Sequence, residues 1–236
     1  MIVYPGLVAM KLKLTQKPRR FLCAAFTYGE HAKEFGFDLS KIKKVPLLLL
    51  KSPDSVIWNN EPVMLPDLTG WFDAPEPWGW VSGEVEIGVV MKDTVQNISE
   101  AEAEKHILGY TIFNDVTQRD LEKGGYPYSI SKSFPTFGPC GPVIVTPDEI
   151  PDPQNLRLTM KVSGKVYQNA SSSEMNVTIF RLVSIASKIV RLEKDDIIST
   201  GTPPGCLAYR LKDGDVMEAE IEGIGVLRNP VKFKVF

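Results

Sequence analysis

Strand-like alternation of apolar and polar positions recurs along most of the chain. The segment "LVAMKLKLTQ" (7–16) alternates, "RRFLCAAF" (19–26) is predicted as a second strand, and "PLLLLKSPDSVI" (46–57) as a buried strand running into a turn. Beyond residue 80, the same reading covers "SGEVEIGVV" (82–90), the apolar run before Asp115, "GPVIVT" (141–146), "LRLTMKVSG" (156–164), "DIISTGT" (196–202) and "DVMEAEIEGIGVL" (215–227). Gly, Pro and Asp-Gly punctuate these strands. Helical signals are fewer. "ISEAEAEKHILGY" (98–110) opens with Ser99 and Glu102 at capping-box spacing. The span 171–192 places Met175, Ile179, Leu182, Ile185, Ala186 and Ile189 on one helical face, with Ser171 and Glu174 as a second box. Between them, 67–83 holds three of the four tryptophans and is predicted as an ordered loop or seam. It divides a small N-terminal region (1–70) from a main body (71–236). Few helices among many strands, without strict alternation, predict an α+β or mostly-β fold.

Composition narrows the partners. The 236 residues carry 27 basic and 29 acidic side chains, a near-neutral balance that argues against a nucleic-acid surface. Cys23, Cys140 and Cys206 are odd in number and lack metal-ligand spacing, which fits a reducing, cytoplasmic setting. The longest apolar run, "VPLLLL" (45–50), is too short to span a bilayer, and the N-terminus lacks signal-peptide organisation. No membrane partner is expected.

The strand 82–90 raises a chemical question. Glu84 and Glu86 are two apart, so in a strand both carboxylates point to one face while Val85, Ile87 and Val89 point to the other. Either that face is wet or something positive sits there. Asp115, after an apolar strand, adds a third carboxylate. Three oxygen ligands without a Cys/His cluster describe a hard cation such as Mg²⁺, Mn²⁺ or Ca²⁺. Removing Glu84 is then expected to abolish metal-dependent activity with little loss of stability, because the empty site would relax. Arg119, four residues after Asp115, would share its face on a helical turn and either orient it or meet an anionic substrate. His31 and Glu34 have i, i+3 spacing; the carboxylate would fix the imidazole tautomer and leave a base ready for water. His106 is expected to be structural. Lys132 in "SKSF" suits an oxyanion, and Thr202 with the Gly201 backbone in "TGTPPG" suits a carboxylate.

Taken in order, His31…Glu34, Glu84-Val-Glu86, "NDVTQRD", "KSFPTFGPCGP", "TGTPPG" and "GDVMEAEIEGIGVLRNPV" resemble the fumarylacetoacetate hydrolase family over nearly the whole chain. The resemblance implies a mixed β-roll or β-sandwich with flanking helices, usually as a homodimer. It implies Mg²⁺ or Mn²⁺ on Glu84, Glu86 and Asp115, Lys132 as an active-site lysine, and a lid over 26–38 that orders over bound substrate. The implied activity is metal-dependent hydrolysis of a C–C bond in small dicarbonyl acids such as acylpyruvates. Oxaloacetate decarboxylation and dienoate isomerisation are alternatives on the same site. A metal-stabilised binding protein with little turnover is the reading from another class. Departures include Glu122 where relatives carry Gln, a short 122–131 loop, and Thr27 before Tyr28 where relatives often carry Asn.

Overall fold

A computed structural model describes residues 17–38 and 45–233; the strand expected at 7–16 lies outside the described residues. The N-terminal elements are β1 (Phe21–Ala25), α1 (Gly29–Glu34), β2 (Leu47–Lys51), β3 (Val56–Ile57) and β4 (Val63–Leu65). Next come β5 (Val81–Ser82), β6 (Val85–Met91), α2 (Glu100–Ala103), β7 (Ile107–Asn114), β8 (Thr117–Gln118), α3 (Arg119–Lys123) and α4 (Tyr128–Ser131). The chain finishes with β9 (Gly138–Val145), β10 (Arg157–Val162), β11 (Lys165–Ser171), α5 (Ile179–Ile189), β12 (Ile197–Ser199), β13 (Val216–Ile221) and β14 (Gly225–Phe233).

The strands build a seven-stranded mixed sheet, β2-β1-β12-β6-β7-β9-β3, and a five-stranded one, β11-β10-β13-β14-β4. A two-stranded ribbon, β5-β8, completes the set, and the architecture is α+β as expected. β13 and β14 pack on β6, β7 and β9, so the two sheets close on one core. Val85, Ile87 and Val89 point into that core, while Val90 joins Phe21, Cys23 and Phe113 on the opposite face. A strand buried on both faces explains the near-continuous apolar run of β6.

Two helical expectations are corrected. Only Glu100–Ala103 and a following 3₁₀ turn, Glu104–His106, coil after the Ser99–Glu102 box; from Ile107 the chain is strand. Ile107–Asn114 is rich in β-branched and aromatic residues, and it pairs with β6 on one side and β9 on the other. Ladder pairing on both edges outweighs a helical period only a few residues long. The Ser171–Glu174 box likewise caps a 3₁₀ turn, and the long helix starts later, where Thr178 Oγ1 accepts from the Arg181 amide at 3.1 Å. Its face of Ile179, Leu182 and Ala186 is buried, but Ile189 at its last position is exposed.

Three strands among the described residues before position 70 join the sheets of the main body. β1 pairs with β12, β3 with β9 and β4 with β14, all in parallel. The Trp-rich 67–83 stretch is an ordered loop pinned to the body: the Trp78 indole donates to Leu211 O at 3.1 Å and the Trp80 indole to Tyr209 O at 2.7 Å. No helix among the described residues is long and apolar enough to cross a membrane.

Candidate active site

The antiparallel ladder brings the three carboxylates together. Val85 on β6 pairs with Asn114 on β7, so the flanking residues Glu84 and Asp115 meet at the strand ends. The Asn114 side chain accepts from the Glu84 amide at 2.9 Å, and the Asp115 amide donates to Glu84 O at 2.9 Å. Glu86 follows one strand repeat on. One oxygen from each of Glu84, Glu86 and Asp115 lies within 4.8 Å of the other two, and all three residues are buried. The glutamate face is therefore shielded from bulk solvent.

Cations answer part of this charge. Arg119 donates to Glu84 Oε1 at 2.6 Å and to Glu122 at 2.8 Å. Lys132 reaches Glu84 Oε2 at 2.7 Å, Asp115 Oδ2 at 2.8 Å and Thr117 Oγ1 at 2.8 Å. Lys51 reaches Asp115 Oδ1 at 2.6 Å and the Phe137 carbonyl at 2.6 Å. Glu86 has no ion-pair partner among the described residues; the Ser199 hydroxyl and the Gly201 amide donate to it, the latter at 3.0 Å. The electrostatics follow this partnering. Burial raises Glu84, but Arg119 and Lys132 outweigh it and hold the carboxyl well below the usual range. Burial, then Asp115 and Glu84, push Glu86 well above it. Three oxygen donors, one of them a buried carboxylate lacking a cation, fit a hard divalent metal.

Three expected roles change. Arg119 does not orient Asp115, because α3 begins at Arg119 and Asp115 stands before it at the end of a strand. It bridges Glu84 and Glu122 instead. Thr202 does not present a free hydroxyl: Oγ1 donates to Val85 O at 3.1 Å and accepts from Gln168 at 2.8 Å. The backbone of that turn is engaged with Glu86. Gly201 has a φ of +86°, and a Cβ there would collide with Thr27 Oγ1, so only glycine brings this amide so close. Lys132 lies among the carboxylates, where its ammonium is already partnered.

The 26–38 segment lies over the cluster. His31 on α1 is buried, and its Nδ1 is 3.0 Å from Glu34 Oε2, which leaves Nε2 to serve the cavity. The cavity beneath it is lined by Phe26, His31 and Phe35 above and by Glu84, Glu86, Lys132, Glu122, Tyr128 and Thr202 below. Phe26 stacks on the His31 ring at 5.9 Å and Phe35 meets it edge-on at 5.1 Å. His106 is remote and binds Asp93 at 2.8 Å, as a structural histidine would.

Lys51, Ser199, Tyr128 and the two phenylalanines were not found from sequence. Lys51 left one signal, a lysine continuing the apolar strand "LLLL", since a buried lysine requires a partner. Burial pushes its amine down while Asp115 opposes that shift. Lys51→Met should destabilise the metal-free protein by about 3 kcal/mol, because Asp115 loses one of its two cations inside the core. Urea denaturation would measure this loss, and saturating Mg²⁺ should reduce it if the triad binds the ion.

Residues 20–232 match the family described as fumarylacetoacetate (FAA) hydrolase C-terminal, and the chain belongs to that family. An uncharacterized protein of Methanocaldococcus jannaschii is 40% identical over 216 residues, covering 92% of this chain and 84% of its own. The mitochondrial oxaloacetate tautomerase fahd2 of Xenopus laevis is 34% identical over 221 residues, covering 91% of this chain and 66% of the relative. Among solved structures, 5-carboxymethyl-2-hydroxymuconate delta-isomerase from Mycobacterium smegmatis superposes with a TM-score of 0.80 at 34% identity, over 96% of this chain and 83% of that one. Fumarylpyruvate hydrolase from Pseudomonas aeruginosa, solved with Mn²⁺ and pyruvate, has a TM-score of 0.82 at 24% identity, over 99% and 100% of the two chains, a likeness of fold alone. The two relatives at 34% identity are an oxaloacetate tautomerase and a delta-isomerase, both enzymes.

Proposed function

We propose that this protein is a divalent-metal-dependent enzyme that moves a proton on the carbon beside the keto group of a small 2-oxo dicarboxylic acid, interconverting its keto and enol forms. The observation that carries this reading is His31, oriented by Glu34 and sharing one small cavity with Glu84 and Glu86 of the carboxylate triad. Glu84, Glu86 and Asp115 would hold Mg²⁺ or Mn²⁺, which when bound supplies Lewis acidity toward the substrate oxygens. Glu34 accepts the Nδ1 proton, so His31 Nε2 is the lone pair that takes a proton from the substrate carbon and returns it. Phe26 and Phe35 pack on the imidazole and exclude water from the exchange. Lys132 and Arg119 keep Glu84 ionised for the metal. Identities of 34% to a tautomerase and to an isomerase support this choice of reaction.

C–C hydrolysis of acylpyruvates, the reaction expected from sequence, is the second reading. The same His–Glu dyad favours it, since a histidine so oriented also suits water activation. The test follows two signals with and without Mg²⁺ or Mn²⁺: decay of the enol absorbance of oxaloacetate, and pyruvate release from a panel of acylpyruvates. Metal-dependent ketonisation well above the buffer rate, with slow pyruvate release, is the expected result. Faster pyruvate release from any acylpyruvate would transfer the assignment to hydrolysis. Metal binding without turnover of either substrate would leave the binding-protein reading.

A further inference from the structure

A second group of ligating side chains sits on the other side of the His31 ring, and it contains sulfur. His31, Glu34 and Cys206 each offer one donor atom, and the three lie within 4.8 Å of one another. His31 Nδ1 is 3.0 Å from Glu34 Oε2 and 3.8 Å from Cys206 Sγ. Tetrahedral zinc with ordinary bond lengths spaces its N, O and S ligands about 3.3–3.6 Å apart, a range that the two spacings from His31 Nδ1 bracket. The Gly205 amide donates to Glu34 Oε1 at 2.8 Å and leaves Oε2 for the ion. The Glu34 side chain is a quarter exposed, which provides a route in from solvent.

From this geometry we infer that His31, Glu34 and Cys206 form an inhibitory site for a borderline-soft cation of the zinc type, distinct from the all-oxygen triad. The mixed N, O, S set selects against Mg²⁺, which prefers oxygen alone. Burial pushes the Cys206 thiol up, so zinc entry releases that proton and leaves a thiolate on the metal. Inhibition follows from the tautomer. Turnover needs the proton on Nδ1, facing Glu34, with the lone pair on Nε2. Zinc on Nδ1 requires the lone pair there and places the proton on Nε2, which is then no base. The ion would also clamp α1 to the turn after β12, holding the roof over the cavity shut. This inhibition rests on the proposed role of His31; the metal site itself does not.

The experiment uses the Mg²⁺-loaded enzyme, so that the triad is filled, and Co²⁺ as a spectroscopic probe. One equivalent of Co²⁺ should produce a thiolate-to-cobalt charge-transfer band and the intense visible bands of tetrahedral cobalt. Cys206→Ala and Cys206→Ser should show neither, yet keep Mg²⁺-dependent turnover. Zinc should inhibit the wild type despite excess Mg²⁺ and inhibit both variants at least about 10–100-fold more weakly, the scale of a lost ligand contact. Absence of the charge-transfer band in the wild type, which needs no variant to fold and no substrate to be known, would overturn the site. Its persistence in Cys206→Ala would also overturn it, by placing the sulfur ligand elsewhere. Equal zinc inhibition of all three proteins would overturn the switch.

Discussion

Glu86→Gln is expected to remove metal-dependent turnover by about 10³-fold or more while leaving the metal-free fold as stable as before, or more stable. A catalytic divalent ion contributes several kcal/mol to the transition state, and each 1.36 kcal/mol is tenfold in rate. The stability half of the prediction comes from the partners. Glu86 is buried, accepts from Ser199 and Gly201, and faces Asp115 and Glu84 with no cation of its own. An amide of the same shape relieves that repulsion. Glu84→Gln should lose the same activity but also about 3 kcal/mol of stability, because Arg119 and Lys132 would each lose a carboxylate inside the core. This reverses the expectation from sequence, in which removing Glu84 relaxes the site. The carboxylates, Arg119 and Lys132 were visible in the sequence, but the ion pairs that join both cations to Glu84 were not. Denaturant midpoints of the metal-free proteins, beside metal-titrated activity, check both halves; a Glu86→Gln variant that unfolds as easily as Glu84→Gln would refute the division of charge described here.

That reversal shows what a sequence of this kind reveals and where it stops. The glutamate pair was legible because strand period two is a local rule, whereas Asp115, beyond a long connection that holds α2, joined it only through the chemistry of three oxygen donors and the family resemblance. The His31–Glu34 contact was legible for the same reason, being i, i+3 on α1. Lys51 was hidden because β2 reaches Asp115 only through the fold. It lies at the sheet edge beside β1, and its ammonium arrives across 64 positions of sequence. Ser199 meets Glu86 because β12 pairs with β6, a register that no local pattern announces. The false helix at 107–110 belongs to the same class of error: its capping box was real, but the long-range ladders on both sides of β7 decided the state of the residues that followed.

His31→Ala should separate the reactions open to this site. Tautomerisation and hydrolysis both require a base at the cavity, so each should fall by roughly 10²–10⁴-fold, the usual worth of general base catalysis. Decarboxylation of oxaloacetate, where loss of CO₂ needs no proton abstracted, should fall much less. The ring is buried between Phe26 and Phe35, so its removal also leaves a cavity of imidazole size. That feature makes the test sharper, since added imidazole should enter the gap and restore part of the proton-transfer rate without changing decarboxylation. A role confined to holding the roof in place gives a different signature: equal losses on all substrates, a raised KM with kcat little changed, and no rescue. Glu34→Gln refines the assignment. It keeps the shape of the side chain but removes the carboxylate that accepts from Nδ1, so the tautomer with its lone pair on Nε2 is held less firmly and kcat for proton transfer should fall with KM little changed. A raised KM with kcat little changed would assign Glu34 to the Gly205 contact that anchors α1, and the orientation of His31 would have to come from its aromatic neighbours alone.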